Sequence, residues 1–221
     1  MKAMILAAGR GERMKPLSDA TPKPLLEVRG KALIVWLIEA LARAGIRDIV
    51  INHAHLGQMI EAALGDGRRF GVRVDYSAEG QALGTAGGIA KALPLLGTGP
   101  FLVVNGDIFC DFDFAALATR ALGAKSAHLV LVPNPPHHAQ GDFSLDHGMA
   151  RVRGEPRWTF SGVGMYRAEL FESLLPGSKA QLVTLLHAAM ARERVGAEVH
   201  VGAWHDVGTP ERLAALNAPL A

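Results

Sequence analysis

The sequence predicts an α/β fold: a doubly wound, mixed but mostly parallel sheet with a small antiparallel excursion, within a single domain spanning residues 1–221. Two observations set the first half of the chain. Short apolar runs recur through it, and longer helical patterns lie between them and stop at glycines. A third observation sets the second half, where the runs shorten and the spacing changes after Pro133.

The runs Ala3–Ala8, Ile46–Asn52, Val72–Tyr76, Phe101–Asn105 and Ala127–Pro133 are near-continuously apolar rather than alternating. That pattern suits parallel strands covered on both faces. Between them, Lys31–Ala44 is apolar nearly all round and stops at Gly45, which predicts a buried helix with a glycine C-cap. Leu56–Leu64 stops before Gly65, Thr85 is placed to cap a helix running to Leu93, and Asp113–Leu122 stops at Gly123. Asn134-Pro135-Pro136 then breaks the chain. Phe143–Leu145, Ala150–Val152 and Trp158–Tyr166 predict the strands of an antiparallel excursion on the sheet edge. A helix over about Ala180–Arg194, a strand over Glu198–Trp204 and a closing helix complete the chain. The closing helix has a defined start, with Thr209 as N-cap, Pro210 at the first helical position and Glu211 behind it.

Composition excludes several classes of function. Of 221 residues 49% are hydrophobic, enough for a full core, and 23 Lys+Arg against 21 Asp+Glu leave a net charge of +2. With no basic cluster, nucleic-acid binding is disfavoured, and an anionic ligand must be held by a local site. The longest charge-free apolar run, Ala32–Ile38, is far short of a membrane span, and Met1–Ala8 is too short for a signal-peptide core. The single cysteine, Cys110, rules out an intramolecular disulfide and suits a reducing compartment. A cytoplasmic protein with no membrane partner is the expectation, and a monomer is compatible with it.

The densest chemistry lies at the N-terminus: Leu6-Ala7-Ala8-Gly9-Arg10-Gly11-Glu12-Arg13-Met14-Lys15-Pro16-Leu17, then Thr21-Pro22-Lys23-Pro24. Glycines directly after a buried strand let the backbone turn sharply and aim amide N–H groups at an anion. A Walker loop and a dinucleotide fingerprint both need glycine where Met14 stands, so neither applies. What remains is Gly9 and Gly11 with two cations: Arg13, a planar fork for phosphate oxygens, and Lys23, a compact point charge stiffened by Pro22 and Pro24. A plain glycine turn with two solvated cations is the alternative.

Val103-Val104-Asn105-Gly106-Asp107 runs an apolar strand into an aspartate at its carboxyl end, where open parallel sheets bind ligands. Trp204-His205-Asp206-Val207-Gly208-Thr209 repeats the arrangement about a hundred residues on. Each aspartate alone is an ordinary turn or cap residue. Together, beside the glycine loop, Asp107 and Asp206 are candidates to share one Mg²⁺, an ion that typically takes one or two carboxylates plus substrate phosphate oxygens.

These segments, with Leu83-Gly84-Thr85-Ala86-Gly87-Gly88, resemble the sugar-1-phosphate nucleotidyltransferases, in order and over nearly the whole chain. Gly11-Glu12-Arg13-Met14, Val50-Ile51-Asn52-His53-Ala54, the compact length and the absence of a C-terminal β-helix are most similar to the N-acetylmuramate-1-phosphate uridylyltransferases of bacterial cell-wall recycling. The family pattern has Thr after the second glycine, where this chain has Glu12.

The resemblance implies a Rossmann-like fold of the nucleotide-diphospho-sugar transferase type, with a nucleotide-binding half over 1–133 and a sugar-binding half over 134–221. It implies that a sugar 1-phosphate attacks the α-phosphorus of UTP and releases pyrophosphate, both substrates being small molecules. The roles it implies are Mg²⁺ on Asp107 and Asp206, the departing phosphates on Arg13, and the α-phosphate and sugar phosphate on Lys23. It also implies a nucleotide cradle of Ala7, Ala8, Gly9 and Gly11, with Glu79 and Gly84 at the base; Asn105 is a candidate for the ribose, the alternative being an Asn that holds the turn before Gly106. Gly141, Asp142 and Gly162 fall where the family lays the hexose. Guanylyl transfer to mannose 1-phosphate, uridylyl transfer to glucose 1-phosphate and a catalytically silent nucleotide-sugar sensor are the alternatives. A sensor could have lost Arg13, Lys23 or either aspartate, and all four are present.

Other features carry less. His53-Ala54-His55 and His137-His138 lack the companion ligands of a transition-metal site. Trp158 and Trp204 suit a core as readily as a sugar face, and Cys110 reads as a packed thiol.

Overall fold

The computed structural model of the protein describes residues 1–175 and 177–218, so the last three positions of the expected sugar-binding half lie outside the described residues. The strands are β1 (Lys2–Leu6), β2 (Glu27–Val28), β3 (Lys31–Ala32), β4 (Asp48–His53), β5 (Arg73–Ala78), β6 (Phe101–Asn105), β7 (Ile108–Cys110), β8 (Ala127–Val132), β9 (Phe143–Asp146), β10 (Met149–Arg151), β11 (Arg157–Tyr166), β12 (Val195–Val199) and β13 (Trp204–Asp206). The α-helices are α1 (Leu17–Ala20), α2 (Leu33–Arg43), α3 (Gly57–Leu64), α4 (Gly84–Leu96), α5 (Phe114–Ala118), α6 (Leu182–Met190) and α7 (Pro210–Asn217).

Nine strands form one sheet in the order β5-β4-β1-β6-β11-β8-β12-β10-β9. β5, β4, β1 and β6 are mutually parallel, as the unbroken apolar runs require. Successive residues on β1 and β6 feed opposite faces. Ala3, Ile5, Leu102 and Val104 join a core under α2, α3 and α5, whereas Met4, Phe101 and Val103 join a second core under α4 and α6. Met4 and Ile5 are fully buried, each burial contributing about 2 kcal/mol of transfer free energy. Helices on both faces are what doubly wound means physically.

The antiparallel part departs from expectation in one respect. β9 and β10 form an edge hairpin, but β11 lies inside the sheet, antiparallel to both β6 and β8. Its residues Ser161–Tyr166 are all buried, and a register shift between Phe160 and Val163 bends the strand. β8 and β12 then run parallel. Sequence alternation could not reveal this insertion, because a strand covered on both faces carries none.

Helix ends also differ. α2 begins only at Leu33, since Lys31 and Ala32 pair with Val28 and Glu27. Its fully buried residues lie on one stripe, Leu33, Ile34, Leu37, Ile38, Leu41 and Ala42, rather than all round. It ends as expected at Gly45 (φ +80°), with Ile46 N–H donating to Leu41 O at 3.0 Å. Thr85 is not a cap but lies in the first turn of α4. The Ala180 carbonyl serves the orphan donors instead, accepting from Ala86 N–H at 3.1 Å and Gly87 N–H at 3.3 Å. α5 stops at Ala118 rather than Leu122, where Thr119 Oγ1 donates back to Ala115 and Ala116 carbonyls. α7 starts as the sequence indicates, with Thr209 Oγ1 accepting from Arg212 N–H at 3.4 Å. No helix among the described residues is long and apolar enough to cross a membrane.

Candidate active site

The carboxyl ends of β1, β4 and β6 open into a cleft of about 260 Å³. Ala7, Ala8, Gly9, Gly11, Lys23, Glu79, Gly84, Asn105 and Asp107 line it, joined by Asn52, Thr85 and Gly106. Segments of the chain as distant as Ala7 and Asp107 thus meet at one sheet end, the place where open α/β sheets take ligands.

Two glycines are demanded by this geometry. Gly11 holds φ +69° and turns the chain back so that Ser18 Oγ donates to its carbonyl at 2.8 Å. Gly106 donates its N–H to Leu6 O at 2.8 Å, and a Cβ there would stand 2.6 Å from that oxygen. Only glycine lets the Asp107 loop sit this close to β1.

Lys23 and Asp107 form an ion pair across the cleft, Nζ to Oδ2, with the lysine side chain 12% exposed. Asp206 approaches from behind. β13 pairs antiparallel with β7 so that Asp206 lies opposite Ile108, and Val207 N–H donates to Asp107 O at 2.8 Å. The two aspartates are therefore neighbours in space, although Asp206 lines a separate cavity with His137 and Arg212. Its carboxylate is engaged there. Arg212 Nη1 donates to Asp206 Oδ1 at 2.6 Å, and His137 Nε2 lies 3.0 Å from the same oxygen.

Arg13 sits on the exposed 3-10 turn Glu12–Met14, outside the residues that line the cleft, and among the described residues it has no side-chain hydrogen bond or ion pair. Its neighbours are tied together: Glu12 bridges Arg10 Nε at 3.1 Å and Lys15 Nζ at 3.0 Å. The Lys15 ammonium, hydrogen-bonded to Glu12, holds that carboxyl below its ordinary range.

Glu79 enters the cleft with both oxygens already accepting hydrogen bonds, Oε1 from Asn52 Nδ2 and Oε2 from Leu83 N–H at 2.8 Å. Asn52 Oδ1 in turn accepts from Ala7 N–H at 2.9 Å. Asn52 is buried and belongs to the motif Val50–Ala54, yet sequence reasoning gave it no role. The available signal was an amide closing an otherwise apolar strand.

The three residues expected at the sugar do not line the cleft. Gly162 (φ +80°) comes nearest, because the Asn105 side chain lies 2.5 Å from where its Cβ would be. Gly141 packs on the backbone of Trp158 and on Asn134. Asp142 is occupied with the fold: Oδ2 accepts from Phe160 N–H at 2.8 Å and Oδ1 lies 3.0 Å from His138 Nε2. Trp204 donates its indole N–H to Ser161 O at 2.9 Å and packs on the core. Burial pushes the Cys110 thiol up, away from a reactive thiolate. Among the described residues no three His, Cys, Asp or Glu side chains cluster as a metal site.

The sequence profile of the nucleotidyl transferase family matches residues 2–221. The chain belongs to that family. A relative of this nucleotidyltransferase, the N-acetylmuramate alpha-1-phosphate uridylyltransferase of Neisseria meningitidis serogroup B, is 55% identical over 225 residues, covering 99% of this chain and 97% of its own. The mannose-1-phosphate guanylyltransferase catalytic subunit beta of Dictyostelium discoideum is 31% identical over 96% of this chain but only 62% of its own length. Among solved structures, a glucose-1-phosphate thymidylyltransferase described from Bacillus anthracis, in complex with sucrose, superposes with a TM-score of 0.86 at 23% identity, covering 98% of this chain and 94% of that one. At that identity the likeness speaks for the fold. The nucleotidyltransferase assignment rests on the family profile and the length-for-length relative.

Proposed function

We propose that this nucleotidyltransferase transfers a uridylyl group from UTP to N-acetylmuramate 1-phosphate, giving UDP-N-acetylmuramate and pyrophosphate. The observation that carries the choice of substrates is the 55% identity sustained over 99% of this chain and 97% of the Neisseria meningitidis enzyme. A product of this kind supports a role in cell-wall recycling and, with UTP as donor, a cytoplasmic location.

In the reaction a phosphate oxygen of the sugar phosphate forms a bond to the α-phosphorus of UTP, and the bond from that phosphorus to the α–β bridging oxygen breaks. The electron pair leaves with pyrophosphate, so no protein nucleophile is needed. The work left to the protein is in-line positioning and neutralisation of crowded anions. Gly9 and Gly11 seat the triphosphate beside β1. Lys23, released from Asp107 by an arriving phosphate, contacts the α-phosphate and the sugar phosphate. Arg13, unpaired and exposed, is free to take the departing β- and γ-phosphates as a bidentate fork. Asn105 faces the ribose, and Gly162 behind it leaves room for the Asn105 side chain.

Asp107 and Asp206 are the hard carboxylates that would hold Mg²⁺: the Val207–Asp107 backbone hydrogen bond makes their chain segments neighbours, and Asp206 would have to exchange Arg212 for the ion. Each carboxylate now faces a basic side chain, Lys23 or Arg212, as an oxygen site for a cation should. Bound there, the ion would neutralise triphosphate charge and the charge developing on the leaving group.

The test is a pyrophosphate-release panel. UTP, GTP, CTP and dTTP are crossed with the 1-phosphates of N-acetylmuramate, N-acetylglucosamine, glucose and mannose, with and without Mg²⁺. UTP with N-acetylmuramate 1-phosphate is expected to give the highest kcat/KM. A preference for GTP with mannose 1-phosphate would replace this reading with the guanylyl one.

A further inference from the structure

Asn52 is 3% exposed and Glu79 9% exposed, and both line the cleft near strand ends. A run of three hydrogen bonds passes through them, from Ala7 N–H to Asn52 Oδ1, from Asn52 Nδ2 to Glu79 Oε1, and from Leu83 N–H to Glu79 Oε2. It ties the glycine loop after β1 to the turn that starts α4. The run has a direction: it needs an acceptor toward Ala7 and a donor toward Glu79 on one short planar group, which an Asn amide supplies and Asp or Leu does not.

α4 is shaped around the pair. A Cβ on Gly88 would stand 2.8 Å from Asn52 Nδ2 and closer still to Glu79 Oε1. Gly88 is not among the glycines with positive φ, so its lack of a side chain serves space and not backbone conformation.

We propose that Asn52 is a positioning residue for nucleotide-base selection. By donating to one oxygen while Leu83 N–H donates to the other, the run fixes the Glu79 carboxylate so that only acceptor lone pairs face the cleft. Such a group pairs with a ring N–H, as uracil has at N3, and opposes the bare N3 acceptor of cytosine. Asn52 acts through Glu79, to which its Nδ2 donates. This inference rests on the proposed seating of a nucleotide in the cleft.

The test compares N52D, E79Q and the double variant N52D/E79Q, measuring KM and kcat for UTP and CTP together with Tm. N52D sets two carboxylates against each other, and E79Q sets two amide donors against each other. The double variant restores one donor facing one acceptor, with Ala7 and Leu83 still served. Each single change is expected to raise KM for UTP by about tenfold or more and to shrink the UTP-over-CTP ratio, with kcat changed less. The double variant is expected to recover most of the loss in KM for UTP, because the residue-79 side chain is held again, but not the UTP-over-CTP ratio, because the second Nε2–H of the glutamine is a donor where the carboxylate offered only acceptors.

Unchanged KM and ratio in N52D, or losses in Tm and kcat at a constant UTP-over-CTP ratio, would overturn the proposal. So would a double variant whose KM for UTP is no better than that of either single one, which still decides the matter if N52D fails to fold. A wild type that prefers another nucleotide overturns the uridylyl reading instead, and Asn52 is then judged by the same loss and rescue in KM for that nucleotide.

Discussion

Lys23 and Asp107, 84 residues apart in the chain, close an ion pair over the mouth of the cleft. It is the contact that an incoming triphosphate must exchange, since phosphate oxygens compete for the ammonium and a divalent ion competes for the carboxylate. On the proposed mechanism the pair is less a stabilising bridge than two groups holding each other in place until substrate arrives.

Asp107→Asn keeps the shape but removes the charge. Turnover is expected to fall by about a hundredfold or more, with UTP affinity falling less, because a metal-bound carboxylate acts chiefly on developing charge. Single-turnover kinetics beside UTP titration separates the two. A near-wild-type rate would remove Asp107 from the mechanism.

Lys23→Ala separates catalysis from stability. The partner carboxylate is a third exposed, so the orphaned charge is screened and the cost to folding is about 1 kcal/mol or less, roughly 2–4 °C in Tm for a chain of this size. The loss in kcat is expected to be far larger. A Tm drop of about 10 °C with kcat little changed would make the lysine structural.

Arg13→Lys asks whether a point charge suffices. Arg13 has no partner among the described residues, so the change should leave Tm alone. If the leaving pyrophosphate needs a planar fork, kcat falls by about tenfold. Full activity in that variant would assign Arg13 a purely electrostatic role.

Arg212→Gln addresses the second aspartate. The guanidinium occupies Asp206 oxygens that a divalent ion would need, so removing it should tighten Mn²⁺ binding to the free protein by about fivefold, the order of a part-exposed ion pair. The N-cap of α7 is spared, because Thr209 accepts from the Arg212 backbone. Weaker binding, read by the paramagnetic signal of free Mn²⁺, would mean that Arg212 holds Asp206 in its ligand geometry.

What the sequence made legible follows from locality. The β1 glycine loop, Asp107 after β6 and the Thr209-Pro210 helix start are each written in a few consecutive residues, and each stands where those residues place it. The insertion of β11 between β6 and β8 is not local: it is decided by which apolar runs pair, and fully buried runs look alike. The same limit hid the partners of known residues. Glu79 was visible as a base-side carboxylate, but not that both its oxygens are engaged. Asp142 was visible in a sugar-side loop, but not that Phe160 N–H and His138 hold it. Nor does the sequence pattern pair Arg212 with Asp206, a contact that the turn between β13 and α7 makes.

His128 on β8 supplies a pH dependence that is independent of the site. Burial, reinforced by the charges of Arg120 and Lys125, pushes its pKa down to about 4. In the unfolded chain the imidazole titrates near 6.5. Between those values the unfolded state binds the extra proton and the folded state does not, so stability falls as pH drops below about 7 and levels off below about 4. From pH 7.5 to 5 the loss amounts to about 2 kcal/mol, or roughly 4–8 °C in Tm. His128→Asn removes this proton acceptor and leaves the other histidines in place. The wild-type Tm is therefore expected to fall further than the variant's over that interval by about this amount. Equal falls in the two proteins would place the acid sensitivity elsewhere. In that case the near contact of His128 Nε2 with Glu198 Oε1, at 3.6 Å, would be the reason, since it would favour the protonated ring and offset the penalty of burial.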